Sequence, residues 1–231
     1  MLRARSTAPE IMDDAAQDFT AFSSALRDLE RINRMSLAYR PTLRWLDALA
    51  RRSGARRLSV LDVGAGGGDM LARIADWGAR RGVALEMAAL DRSPHAAAHG
   101  HTRHPNLPVR WITADLFDLD PAERFDVVIC ALFTHHLEDV TLPRFLRWME
   151  ARARQGWLVS DLHRHMLPWV VVWAGVRMLR MDPMVVHDST VSIARGFSRA
   201  DWEALIARAG VRAELRWAFP FRWIVSGLGT R

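Results

Sequence analysis

Five of the nine histidines in this 231-residue chain fall in three short segments: Phe133-Thr134-His135-His136, Asp161-Leu162-His163-Arg164-His165 and His187-Asp188. An imidazole with an ordinary pKa of about 6.5 is largely neutral at pH 7, which suits it to take a proton from a weak nucleophile such as a phenol. The first two segments directly follow apolar runs of strand length, 125–132 and 157–161. In a parallel α/β sheet the ligand crevice lies beyond the carboxyl ends of the strands. His136 or His163 is therefore the preferred base, with His135 next. The adjacent pair is expected to divide its work, one ring reaching the ligand while the other holds the loop through a backbone carbonyl. A metal site drawn from His135, His136, Asp161, His163 and His187 lacks a tight i, i+4 histidine pair on a helix, and no metal is expected.

A second set of residues calls for a nucleoside. The run Val60-Leu61-Asp62-Val63 is a buried strand ending at an acid, and it leads into a turn with glycines at 64, 66 and 68. Without a Cβ, that backbone turns sharply and lets a ligand approach the N–H groups of the next helix. A dinucleotide fingerprint counted from Gly64 needs glycine or alanine at position 69, and Asp69 stands there, where it would repel a pyrophosphate. The second strand, 85–90, ends at Asp91, roughly 20 residues past the glycines, as a ribose-binding acid should. Ser93-Pro94 then reads as an N-cap with proline in the first turn. A third strand, 108–115, again ends in an acid, Asp115.

The spelling Asp62-x-Gly64-x-Gly66-x-Gly68, with Asp91 and Asp115 at the next two strand ends, resembles motif I of the class I S-adenosylmethionine (SAM)-dependent methyltransferases. The resemblance runs from about residue 57 to 161 and more weakly to the C-terminus. It implies SAM as cofactor and S-adenosylhomocysteine (SAH) as product, with Asp115 reading the adenine amino group and Leu116 packing on its ring. Ala65, Arg92 and Ala131 are expected to line the same cofactor. The implied fold is α/β: a Rossmann-like, seven-stranded, mostly parallel sheet with an antiparallel C-terminal hairpin and an N-terminal helical extension. The extension is read over 1–55, with helices at 24–35 and 41–52, and Asn33, Arg34 and Tyr39 are its residues of interest. The cofactor domain is read over 56–231, with an apolar insertion at about 163–197 and the final two strands at 211–218 and 221–226. The family's magnesium-dependent catechol branch places an acid after strand four and an Asp-Asn pair after strand five, and neither pattern is read here.

Composition narrows the partners. All 32 basic residues are arginine, and they are dispersed, so a formal charge of +6 and a pI near 11 do not indicate a nucleic-acid surface. The single cysteine, Cys130, lies inside the apolar fourth strand and reads as inert packing, in keeping with a reducing cytoplasm. No targeting signal is read at the N-terminus. The apolar stretch 166–176 is about half the length a bilayer span needs, so it belongs over the core or the acceptor pocket, and peripheral membrane contact is a minor option. A monomer or homodimer is expected. The segments Glu10-Ile11-Met12-Asp13-Asp14, Leu29-Glu30-Arg31-Ile32-Asn33-Arg34 and Ser160-Asp161-Leu162-His163-Arg164 look like small bacterial methyltransferases of quinone and polyketide chemistry. That likeness implies a small, phenolic or polyketide-like acceptor and O-methylation, with C-methylation or a non-catalytic SAM-binding module as alternatives.

Overall fold

The computed structural model describes residues 2–14 and 17–230. Its centre is a set of strands too apolar to face water on either side. In β1 (Arg57–Val63), Leu58, Val60, Leu61 and Val63 are all buried, and in β4 (Phe125–Ala131) so are Val127 through Cys130. Runs of this kind belong to parallel strands covered on both faces. They form the middle of a seven-stranded sheet in the order β3-β2-β1-β4-β5-β7-β6, completed by β2 (Ala84–Asp91), β3 (Val109–Thr113), β5 (Ala153–Leu162), β6 (Ala213–Ala218) and β7 (Arg222–Leu228). The first five strands are parallel, and β7 runs antiparallel between β5 and β6. The expected fold is the observed one, with the hairpin strands starting one or two residues later than read from the sequence.

Chain order reverses between β1 and β4: β2 and β3 build outward on one side, β5 on the other. This switch point leaves a crevice above the carboxyl ends of β1 and β4, bounded by the loops after those strands. One face of the sheet is covered by α5 (Leu142–Arg152) and α8 (Arg199–Ala209), which bury Phe145, Leu146, Met149, Trp202 and Leu205. The other is covered by α2 (Arg40–Ser53) and α3 (Asp69–Arg81) through Leu46, Leu49, Leu71 and Ile74. Helix α8 starts in the capping box foreseen at Ser198 and Asp201.

Helix α1 (Phe19–Met35) begins five residues before the sequence suggested, because Asp18 accepts the N–H groups of Thr20 and Ala21 and caps it. The insertion folds as two helices, α6 (Met166–Met178) and α7 (Pro183–Arg195), and Val176, Met181, Met184 and Val185 pack with Ala25 of α1 in a third, smaller apolar cluster. The N-terminal extension thus forms a lid, and it and the insertion hold each other over the crevice. Among the described residues no helix is long and apolar enough to cross a membrane. Cys130 is completely buried, as expected.

The glycine turn is also fixed from behind. On α4 (Pro94–Arg103), a Cβ on Gly100 would lie 2.1 Å from the Trp111 ring of β3, and one on Gly68 would lie 2.8 Å from the same indole. Helix propensity alone makes a helical Gly→Ala change favourable by about 1 kcal/mol, whereas overpacking a rigid ring costs about 1–3 kcal/mol. Gly100→Ala is therefore expected to lower the urea midpoint of the protein. A raised midpoint would show that Trp111 is free to move aside.

Candidate functional site

The turn after β1 is built as the glycines predicted. Gly64, Gly66 and Gly68 all have positive φ (68°, 51° and 77°). The N–H groups of Gly64 and Ala65 donate to the Leu90 carbonyl at 2.8 and 3.2 Å, tying the turn to β2. Asp91 braces it from the same side, its Oδ2 accepting the Gly66 N–H and its Oδ1 the Ser93 N–H, both at 2.9 Å. A side chain at Gly64 would meet the Phe133 ring at 2.4 Å, so the loop after β4 lies directly against the turn.

Three carboxyl groups crowd this place. Burial pushes the Asp62 carboxyl well above the usual carboxylate range, and the nearby charges of Asp69 and Asp91 push it further. Burial likewise raises Asp91, against the opposing pull of its two backbone N–H donors. An anionic phosphate would add to this repulsion, while a ligand carrying an ammonium or sulfonium would relieve it. The residues present therefore fit SAM, whose tail is zwitterionic and whose sulfur is cationic, and they do not fit a dinucleotide.

Asp69 does more than repel phosphate. Its Oδ2 accepts the Tyr39 hydroxyl at 2.7 Å and the Asn33 side-chain amide at 3.1 Å, fastening the end of α1 and the start of α2 to the first turn of α3. Burial and Asp69 together raise the Tyr39 hydroxyl, keeping it a donor. Arg34, also singled out in the sequence, does not line the cavity. His99 does, without any cue in its local sequence: its Nδ1 meets Ser23 Oγ of α1 at 2.7 Å and its ring packs on Gly67. Asp115 caps the short 116–118 turn by accepting the Phe117 N–H at 2.8 Å, and Leu116 is buried beside it. Asp62, Gly64, Ala65, Gly66, Asp91, Arg92, Asp115, Leu116 and Ala131 all line one cavity of about 1220 Å³, and Gly68 supports it as the N-cap of α3.

The same cavity continues to the histidines. Leu132, with φ 57°, breaks the chain away from β4 into the 134–136 helical turn. Asp161, fully buried on β5, organises that turn: its Oδ2 accepts the Thr134 hydroxyl (2.5 Å) and the His135 N–H (3.2 Å), while its Oδ1 faces His135 Nδ1 at 2.7 Å. Burial alone would raise the Asp161 pKa, but His135, Thr134 and the Leu162 N–H outweigh it and hold the carboxyl below its ordinary range. His136 is held in the same way from another direction, its Nδ1 lying 2.8 Å from Asp13 Oδ1. The expectation that one of the adjacent rings bonds a backbone carbonyl is corrected here. Each has its own carboxylate, from β5 and from the N-terminal segment, so the rings lie nearly alongside each other with centroids 4.3 Å apart.

With each Nδ1 turned to a carboxylate, Nδ1 is the donating nitrogen of each ring, and a neutral imidazole that donates there has its lone pair on Nε2. Both Nε2 atoms face Glu10, at 3.7 Å from Oε1 for His135 and 3.8 Å from Oε2 for His136. Burial lifts Glu10 to about 7, against the pull of His136, Ser192 and Arg195. Asp188 of α7 seats this segment by accepting the Ile11 and Met12 N–H groups at 2.8 and 2.9 Å. Arg195 clamps the other side, donating to the His135 and His136 carbonyls at 2.9 Å each.

His163 is placed differently. It lines the cavity, but Trp217 Nε1 donates to its Nδ1 at 3.3 Å, so in the neutral ring the proton sits on Nε2 and no lone pair is left over. Burial, His165 and Arg164 depress its pKa. His187 is half exposed and pairs with Asp188. The structure thus brings His135, His136 and Asp161 together and keeps His163 and His187 apart from them. Glu10 and Asp13 complete the group. They stand more than 120 positions from the histidines, in a segment without periodic pattern, and the only cue was the acidic run at 10–14.

A crossover sheet with a buried acid, a glycine turn and a second acid at the next strand end, without a phosphate-compatible charge pattern, defines a SAM-type cofactor domain. Residues 60–156 match the model of the family described as a methyltransferase domain. Over these residues the chain resembles a SAM-dependent methyltransferase domain. Over 134 residues it is 31% identical to a ubiquinone biosynthesis O-methyltransferase of Paramagnetospirillum magneticum, covering 57% of this chain and 51% of that protein. Over 81 residues it is 36% identical to an uncharacterized methyltransferase of Mycobacterium tuberculosis, covering 35% and 38%. The chain spans about half or less of the length of these curated relatives. Among solved structures, the plantazolicin methyltransferase in complex with SAH shares the fold with a TM-score of 0.60 at 14% identity, over 95% of this chain and 88% of that one. The magnesium protoporphyrin IX methyltransferase of Synechocystis with bound SAH does so with 0.55 at 16%, over 85% and 83%.

Proposed function

We propose that this protein binds SAM in the cradle between Asp62, Asp91 and Asp115 and methylates a hydroxyl of a small, largely apolar, phenolic or polyketide-like acceptor. SAM supplies a methyl group already activated on a sulfonium, which leaves the chain to align the acceptor, exclude water and deal with the acceptor's proton. Asp91 and the turn's N–H groups orient the nucleoside end. The lid, fastened through Tyr39 and Asp69, keeps water out.

The acceptor end of the cavity is walled by Val171, Val172 and Val176 of α6 together with Phe219 and Phe221. Such a wall favours an aromatic or long apolar body over a charged one. The observation that carries the reading is that His135 and His136, each with Nδ1 on a carboxylate, line this cavity next to the loop packed on the glycine turn. An acceptor hydroxyl lying there would be activated at the paired histidines. His163, with its Nδ1 engaged by Trp217, is assigned a packing role in this reading, which favours His136 as the base.

The test is incubation with methyl-labelled SAM and a panel of phenols, quinols and polyketide-like hydroxy compounds, read by mass spectrometry. A labelled product gaining one methyl group on oxygen supports the proposal. A methyl on carbon would replace O-methylation with C-methylation, and SAM binding with no product across the panel would favour a non-catalytic module.

A further inference from the structure

The geometry points to a divalent transition-metal site formed by His135 Nε2, His136 Nε2 and the Glu10 carboxylate, at the acceptor end of the cavity. The three potential ligand atoms lie within 4.8 Å of one another. A tetrahedral zinc ion with bonds of 2.0–2.1 Å holds its ligands roughly 3.3 Å apart; here His135 Nε2 lies 3.7 Å from Glu10 Oε1 and His136 Nε2 3.8 Å from Oε2, so the carboxylate has to turn for one oxygen to meet both rings.

Three independent features support it. The first is orientation: metal-bound histidines almost always give their other ring N–H to a carboxylate or carbonyl, and here Asp161 and Asp13 take Nδ1 of His135 and His136 at 2.7 and 2.8 Å. The second is an unmet need. Glu10 is 5% exposed, and while its Oε2 accepts the Ser192 hydroxyl, its Oε1 is buried and finds no hydrogen-bond donor among the described residues. A buried carboxylate oxygen left in that condition is costly, and a cation removes the cost. The third is access: all three residues line the cavity in which the acceptor is proposed to lie.

Two imidazoles and one carboxylate suit zinc, cobalt, iron(II) or manganese better than calcium or magnesium, which take oxygen donors. Arg195 Nε, 3.8 Å from Glu10 Oε1, is the opposing charge, but its guanidinium is spent on the carbonyls of His135 and His136. The site goes beyond the methyl-transfer reading and needs only the cluster, although it runs against the absence of metal expected from the sequence. It uses the same two lone pairs that would otherwise act as free bases.

The full chain, with any affinity tag removed and metal stripped by chelator, is dialysed against zinc(II) and analysed by elemental mass spectrometry and calorimetry. A parallel sample with cobalt(II) is read by its visible absorption. The parent is expected to hold close to one zinc per chain and to give cobalt ligand-field bands. Glu10→Gln and His136→Ala should lose roughly 100-fold in affinity and Asp13→Asn about 10-fold, with His163→Ala and His187→Ala unchanged. Retained SAH binding in each variant verifies that it is folded. Failure of the parent to hold stoichiometric metal, or zinc binding that Glu10→Gln and His136→Ala both keep, would overturn the site. Metal binding without methyl transfer would instead leave the site standing and remove the proposed function.

Discussion

Asp91→Ala is expected to bind SAH about 100-fold more weakly than the parent in calorimetric titration, while its far-ultraviolet spectrum and unfolding cooperativity persist. The size follows from what the carboxylate holds. It accepts the N–H groups of Gly66 and Ser93, each at 2.9 Å, and it sits where a ribose would offer its hydroxyls. Hydrogen bonds to a charged group contribute about 1.5–3 kcal/mol each, and about 2.7 kcal/mol corresponds to 100-fold in affinity. Asp91→Asn keeps one carbonyl acceptor and should lose less, about tenfold. If Asp91→Ala binds SAH as tightly as the parent, the nucleoside does not lie on this strand end and the cofactor assignment fails.

The second large effect concerns turnover. His136→Ala is expected to lower kcat by about 10²–10⁴-fold, the usual range for a group that manages a proton in the transition state, with SAH affinity within about twofold of the parent. His135→Ala should be comparably inactive but also less stable. It removes the imidazole hydrogen bond to the fully buried Asp161, and a hydrogen bond to a charged group contributes about 1.5–3 kcal/mol. His136 is the cleaner probe because its partner Asp13 is partly exposed and has Arg195 and Arg92 nearby. His163→Ala should turn over within a few-fold of the parent, since Trp217 already occupies its acceptor nitrogen. Normal turnover in His136→Ala would sever the histidine pair from the chemistry.

The difference between what the sequence disclosed and what it hid has a physical basis. The strands of the sheet's centre are continuous apolar runs, and the acids that end β1 and β2 are separated from the glycines by the fixed lengths of a strand, a turn and a crossover. Local pattern therefore carries the cofactor cradle almost whole. The histidine pair was visible as well, because strand four leads straight into it. Its orientation was not. What turns His135 is an acid one strand away, and what turns His136 is Asp13, brought across by backbone bonds to Asp188 on α7 and by Arg195. No periodicity links residue 13 to residue 136, so the two Nε2 lone pairs and their carboxylate neighbour emerge only from tertiary packing. The same holds for Tyr39 and Asn33, whose interest was legible but whose common target, Asp69, was read only as a barrier to phosphate.

The N-terminal segment that carries Glu10 and Asp13 rests on the molecule mainly through polar contacts, the Arg5 guanidinium on the His135 and Leu137 carbonyls, the Ser6 N–H on the Ala194 carbonyl and Asp188 under residues 11 and 12, with Met12 against the third apolar cluster and Arg5 over the Phe197 ring. None of the residues in either large apolar core comes from it. Its detachment would expose little apolar surface, so it can open at a free-energy cost well below that of global unfolding. Being folded and being furnished for chemistry are then two different states of this chain. A preparation can show an intact sheet, a sharp melting transition and a full complement of cofactor, and still have its acceptor end standing open.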